Sequence, residues 1–297
     1  MPADTPPGVA PALPDALAAF TRERLGRFRV IRFAGWRHAE TLVWELAAES
    51  GERAFLKSHR QARKFRQELR AYREWLPHLP ALTPVLLGAR EEAPFALLLS
   101  ALPGRLVEDK ALAPDEEREL SRQAGAFLRY LHDLPFLDTD PVTPAEALRM
   151  RLAAWLPRAR GLLTAAELDW VSCRVQEAIP LVAGLRRVPD HRDYTPRNWL
   201  VGRGKTALRV IDFEHARPDL RVLDFEKLWT GPWLERPDLG EAFWHGYGRP
   251  LTGDEEALLE RYAAFGSLTT IVWAREHHDE AFEERGRQNL ARLHERS

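Results

Sequence analysis

The chain has 297 residues, 45% hydrophobic and 29% charged, with a net charge of −1. That length can hold one large core or two smaller ones, and near-neutrality supplies no global field for nucleic acid or an anionic membrane. A single cysteine, Cys173, excludes an internal disulfide and a cysteine-rich zinc site. The N-terminus lacks the basic and apolar regions of a secretory signal, and no apolar run reaches the roughly 18 residues of a membrane span. The expectation is a cytoplasmic protein without nucleic-acid or membrane partners, whose oligomeric state the sequence does not set.

Residues 1–13 are rich in Pro and Ala and read as a disordered extension. Residues 14–25 follow as a short helix entered through Pro14. Three strand-like runs come next: Arg27–Ala34, His38–Ala47 and Arg53–Lys57, the last two joined by a Ser50-Gly51-Glu52 turn. Gln61–Leu76 has helical periodicity, with Phe65, Leu69, Tyr72 and Leu76 on one face. Val85–Leu87 and Ala96–Leu99 are two further short strands, closed by Pro103-Gly104. Beyond this point the pattern is mostly helical: Asp115–Leu131, then 144–157, 164–179, 220–229, 238–247, 253–265 and 267–294. A small hairpin interrupts it, with Trp199–Val201 and Leu208–Ile211 around Gly202-Arg203-Gly204. The fold class is therefore α+β and bilobal. A five-stranded antiparallel N-lobe (14–99) carries one main helix, a hinge spans 100–104, and a helical C-lobe covers 105–297.

The most informative stretch is His191-Arg192-Asp193-Tyr194-Thr195-Pro196-Arg197-Asn198, followed by Val210-Ile211-Asp212-Phe213-Glu214. The spacing H-x-D-x-x-x-x-N, then an apolar strand ending in D-F, suits phosphoryl transfer from a metal-bound nucleotide. Asp193 is the candidate base: a carboxylate is weakly basic, so its work is to orient an acceptor hydroxyl and accept the proton late. Asn198 and Asp212 are oxygen ligands of the kind Mg²⁺ prefers. Lys57, at the end of the third strand, and Glu68, on the next helix, can form the ion pair that positions nucleotide phosphates. Ser100 and Leu102 are candidates for backbone contacts to the base of ATP or GTP. The turn around Gly35, with Arg37 or His38, occupies the place of a phosphate-covering loop but holds one glycine. His277-His278-Asp279 reads as a solvated helix, since adjacent histidines point about 100° apart.

These residues give the chain a resemblance to the aminoglycoside phosphotransferase family, of the protein-kinase-like fold, over about residues 27–280. HRDYTPRNWLV resembles that family's H-G-D-x-x-x-x-N-x-L-V loop, and VIDFEHA its I-D-F/W-E-x-A segment. Leu223-Asp224-Phe225 matches a position whose Asp supports the catalytic loop, GAFLRYLHDLP a helix, and FRQELRAYREWL the helix of the lysine's partner. The resemblance implies that Lys57, Glu68, Asp193, Asn198 and Asp212 take the roles given above. Arg192 departs from the family's usual Gly. Fewer than ten residues separate Asp212 from the helix near Arg221, too few for a peptide-docking segment, so the expected acceptor is a hydroxylated small molecule. An antibiotic is the first candidate, and an amino alcohol, sugar or amino acid the alternative. A polycationic aminoglycoside would need an acidic wall, which Asp279, Glu280, Glu283 and Glu284 can supply. A catalytically silent nucleotide-binding module is the competing reading of another class.

Overall fold

The structure, a computed structural model, describes residues 11–35, 41–79, 81–109, 111–202 and 207–296. The chain forms two compact units. The first contains residues 1–107, 198–205 and 209–216, and the second 108–197, 206–208 and 217–297. The first break thus falls a few residues beyond the expected hinge. The hairpin after Asn198, expected in the helical lobe, packs with the first unit instead.

The first unit opens with α1 (Asp15–Leu25), followed by β1 (Phe28–Phe33), β2 (Thr41–Ala48) and β3 (Arg53–His59). Helix α2 (Ala62–Arg70) continues into a π turn over Ala71–Trp75, and then β4 (Leu86–Arg90), β5 (Phe95–Ser100) and the short β6 (Arg105–Leu106) follow. The five-stranded sheet has the order β1-β2-β3-β5-β4 and is antiparallel throughout, as expected. Strand alternation divides its residues between two faces. Trp44, Leu46, Ala54, Leu56, Ala96 and Leu98 form a core with Leu17 and Phe20 of α1. Lys57 and its ladder partner Leu97 belong to the other face, toward α2. Residues 11–13, which composition assigns to the loose extension, are anchored: the Trp44 indole donates to the Pro11 carbonyl at 3.0 Å, and Leu13 packs on the core.

The second unit contains α3 (Pro114–His132), α4 (Pro144–Ala159), α5 (Ala165–Leu181) and β7 (Val188–Asp190). The hairpin strands that come next, β8 (Trp199–Val201) and β9 (Leu208–Val210), belong mostly to the first unit, where they join β6 in a three-stranded sheet. Then come β10 (Arg217–Asp219), the short α6 (Glu226–Trp229) and α7 (Pro232–Glu235), α8 (Pro237–Tyr247), α9 (Gly253–Glu276) and α10 (Glu280–Glu295). Thr143, Thr164 and Thr252 each cap a helix in a T-x-x-E box with Glu146, Glu167 and Glu255. Helices α3 and α8 approach backbone to backbone. A Cβ on Gly125 would lie 2.0 Å from the Phe243 carbonyl oxygen, and one on Gly246 1.8 Å from that of Arg122.

One expected helix boundary moves. The break near residue 266 is absent: Gly266 stays helical, and its lack of a Cβ leaves room for the Glu226 side chain. The chain instead breaks after Glu276, where His278 takes a left-handed φ of 57° and the Asp279 carboxylate caps α10 through the Phe282 amide. His277 and His278 therefore sit in the break, not on a solvated helix. Among the described residues, no helix is long and apolar enough to cross a membrane.

Candidate active site

The expected residues fall into two groups, one in each unit. In the first, Lys57 rises from β3 and its ammonium bonds Glu68 Oε1 at 2.7 Å and Asp212 Oδ1 at 2.9 Å. Three side chains far apart in sequence thus meet at one nitrogen. Lys57 and Glu68 are buried, while the Asp212 side chain keeps 39% of its exposure. Burial alone would depress the Lys57 ammonium, but Asp212, Glu68 and Glu214 together hold its pKa well above that of an ordinary lysine. Burial likewise opposes ionisation of Glu68, and Lys57 and His59 overcome it, keeping the carboxyl below its usual range. The pair is therefore charged.

Sequence reasoning missed His59, whose Nε2 lies 3.0 Å from Glu68 Oε2. The signal was its i+2 spacing from Lys57, which puts both on one strand face. Asp212 adopts a left-handed φ of 65° just beyond β9. The Phe213 ring then meets Tyr72 edge-on at 6.0 Å, and the Gln67 amide donates to the Glu214 carbonyl. Asn198 is buried and its carbonyl accepts the Ile211 amide at 3.0 Å, tying it to the residue before Asp212. A side-chain amide and a carboxylate on bonded segments are hard oxygen donors that fit Mg²⁺.

At the end of β5, Ser100 donates its amide to the Val85 carbonyl at 2.9 Å, and its hydroxyl accepts the Val85 amide at 2.9 Å. Among the described residues, the Leu102 amide has no hydrogen-bond partner. Ser100 sits three ladder positions from Leu97, the partner of Lys57. That places it about 10 Å along the strand. Arg37 and His38 of the phosphate-loop expectation lie outside the described residues.

In the second unit, the loop bearing Asp193 is held from several directions. Asp224 accepts the backbone amides of His191 at 2.8 Å and Arg192 at 2.5 Å, and lies 3.2 Å from His132 Nε2. Tyr194 donates its hydroxyl to the Ala124 carbonyl at 2.8 Å and stacks on Phe127. His132, Asp190 and Asp224 come close enough to suggest a metal site. With Asp224 already accepting backbone amides, the trio reads as a brace beneath the loop. The side chain of Asp193 itself takes both oxygens to Arg197 Nη2, at 2.7 and 2.8 Å, and one to Lys227 Nζ at 2.6 Å. Neither cation was singled out from the sequence. Lys227 follows Asp224 by three residues, the only hint available.

Arg192, which the sequence left unexplained, has a φ of 66°. That conformation suits glycine and costs another residue about 1 kcal/mol. Its side chain offsets the cost: Nη2 donates to the Tyr262 hydroxyl at 3.1 Å and Nε lies 3.4 Å from Asp219.

A family model described as a phosphotransferase enzyme family matches residues 31–265, most of the chain. The chain belongs to this phosphotransferase family. No curated protein sequence matches it. Among solved structures, this phosphotransferase is similar to the GDP and kanamycin complex of APH(2")-IIia, with a TM-score of 0.71 at 15% identity, covering 95% of this chain and 99% of that one. It is also similar to a thermostable mutant of aminoglycoside phosphotransferase APH(4)-Ia, with a TM-score of 0.70 at 14% identity and coverage of 93% and 97%. A third likeness is to macrolide 2'-phosphotransferase MphH from Brachybacterium faecium, at 0.60 and 18%, covering 93% and 98%. At such identities the likeness establishes the kinase-like fold of the phosphotransferase, and its chemistry has to be argued from its own residues.

Proposed function

We propose that this phosphotransferase moves the γ-phosphoryl group of ATP or GTP to a hydroxyl of a small molecule. The observation that carries the reading is the three-way contact of Lys57 with Glu68 and Asp212. A buried ammonium held charged by two carboxylates is placed to neutralise nucleotide phosphates. Asn198 and Asp212 would hold Mg²⁺, which when bound offsets charge on the transferring phosphoryl group. The Ser100 carbonyl and Leu102 amide would take the nucleotide base.

Asp193 orients the acceptor hydroxyl and receives its proton as the new P–O bond forms. To do so it must exchange at least one of its contacts with Arg197 and Lys227 for the hydroxyl. Both cations are partly exposed and sit on long side chains, so either can release the carboxylate. The structurally similar proteins include complexes with GDP, ATP, kanamycin and streptomycin. This supports a nucleotide donor and keeps antibiotics in view as acceptors.

The test is release of ADP or GDP with Mg²⁺ over a panel of hydroxylated compounds, with phosphorylated product identified by mass. The proposal expects acceptor-dependent turnover. Tight Mg²⁺–nucleotide binding with no product from any compound would favour the silent-module reading.

A further inference from the structure

Close to the catalytic loop, three guanidiniums converge on a single carboxylate oxygen. Asp219 Oδ2 receives Arg151 Nη2 at 2.6 Å and lies 3.3 Å from Arg217 Nε and 3.4 Å from Arg192 Nε. The three arginines come from α4, β10 and the 191–198 loop. Each guanidinium carries five donors. The side chains of Arg151 and Arg217 have no hydrogen-bond partner other than Asp219 among the described residues. The side chain of Arg217 remains 34% exposed and that of Arg151 23%, so the unused donors can reach a ligand.

The other carboxylates nearby balance the charge only in part. Asp190 pairs across the ladder from Arg217, but burial and its neighbours Asp224 and Asp219 push it toward the neutral form. Burial raises Glu226 in the same way. Asp224, lowered by its neighbours despite burial, keeps its charge and faces Arg192, but it is not among the groups that support Arg217. Burial and the adjacent Arg192 and Arg151 lower Arg217 to about 10, whereas Asp219 and Tyr262 raise Arg151 and Arg192, so Arg217 is the least compensated of the three. A half-buried surplus of positive charge is costly until an anion joins it.

Resting on the kinase reading above, we infer that Arg151, Arg192 and Arg217 form an anion site for the acceptor, which is a hydroxylated small molecule bearing a carboxylate or phosphate ester. Asp190, the ladder partner of Arg217, precedes Asp193 by three residues, at most about 10 Å of chain. The anionic group and the reacting hydroxyl therefore belong to one compact molecule. The acidic wall that a polycation would need is compromised as well: Glu283 is taken by Arg275, with two bonds at 2.7 Å, and by Arg287 at 2.8 Å.

The experiment compares matched acceptors with Mg²⁺ and ATP: glycerol, glycerate and glycerol 3-phosphate; glucose, gluconate and glucose 6-phosphate; and kanamycin as the polycation. An anionic member of a set should exceed its neutral parent in kcat/KM by about ten- to a hundredfold, the worth of one charge-assisted hydrogen bond. Whether the carboxylate or the phosphate ester leads identifies the group. Arg217→Gln should raise KM for that member by a similar factor with little change in kcat, and Arg217→Lys should restore part of it. Arg151→Gln is the second variant should Arg217→Gln not fold. Preference for the neutral compounds or kanamycin would overturn the inference while leaving the kinase reading intact. Binding of glycerate and glycerol 3-phosphate by calorimetry, without nucleotide, gives a readout independent of turnover. Arg217-dependent binding without product would support the anion site and count against the kinase reading, whereas binding unaffected by Arg217→Gln, or no binding, would overturn the site.

Discussion

Replacing Glu68 with Gln is the sharpest perturbation of the first unit. The substitution keeps the shape and one acceptor oxygen but removes the charge 2.7 Å from the Lys57 ammonium. The gross attraction at that distance is about 6 kcal/mol at an effective dielectric of about 20. Much of it is offset by the cost of burying the carboxylate, and breaking one side of a buried pair typically costs about 3–5 kcal/mol. Asp212 still holds Lys57 at 2.9 Å, so the lower end, about 3 kcal/mol, is expected. At roughly 2 °C per kcal/mol for a chain of this size, Tm should fall by about 6 °C.

The pH dependence follows from the direction of the Glu68 shift. Its folded pKa is depressed, with Lys57 and His59 overcoming burial. Its contribution is therefore complete above the unfolded carboxylate value of about 4.3 and is lost as pH falls through the folded value. Urea denaturation of wild type and Glu68→Gln at pH 7.5, 5.5 and 4 should show a gap that is constant at the upper two values and begins to close at the lowest. A gap below about 0.5 kcal/mol at pH 7.5, within the range of an ordinary surface substitution, would refute the claim that this pair is buried and charged.

Gly125→Ala would bring a methyl 2.0 Å from the Phe243 carbonyl and should destabilise the second unit. About 3 kcal/mol is expected, read from the urea midpoint. Asp224→Asn presents an NH₂ to amides that now donate to a carboxylate. It should cost about 2 kcal/mol in stability and lower kcat more than nucleotide KM, which steady-state kinetics separates. Asp212→Ala should abolish Mg²⁺-dependent turnover, and calorimetry should show Mg²⁺ no longer strengthening nucleotide binding.

The sheet and most helices were legible because their patterns are local. Polar–apolar alternation marks the run that becomes β1, and Phe65, Leu69, Tyr72 and Leu76 recur at helical spacing in the segment that becomes α2 and the turn after it. The boundary near Gly266 was not, because the glycine there makes room for the Glu226 side chain, forty residues earlier, and does not end the helix. The same division runs through the site. Lys57, Glu68 and Asp212 were chosen from motif spacing, and they meet at one ammonium. His59, Lys227, Arg151 and Arg217 carry no motif, and Arg197 has no assigned place in one; only folding brings them to the carboxylates they surround. Arg192 lies between these cases: its departure from glycine was visible, but its partners, Tyr262 and Asp219, are distant in the chain.

The central claim is that Asp193 serves the acceptor hydroxyl, and Asp193→Asn tests it most directly. The measurement is kcat for nucleotide-dependent phosphorylation of the best acceptor at saturating Mg²⁺. The account predicts a fall of at least about 100-fold, with nucleotide KM nearly unchanged. A variant that turns over at close to the wild-type rate would contradict it.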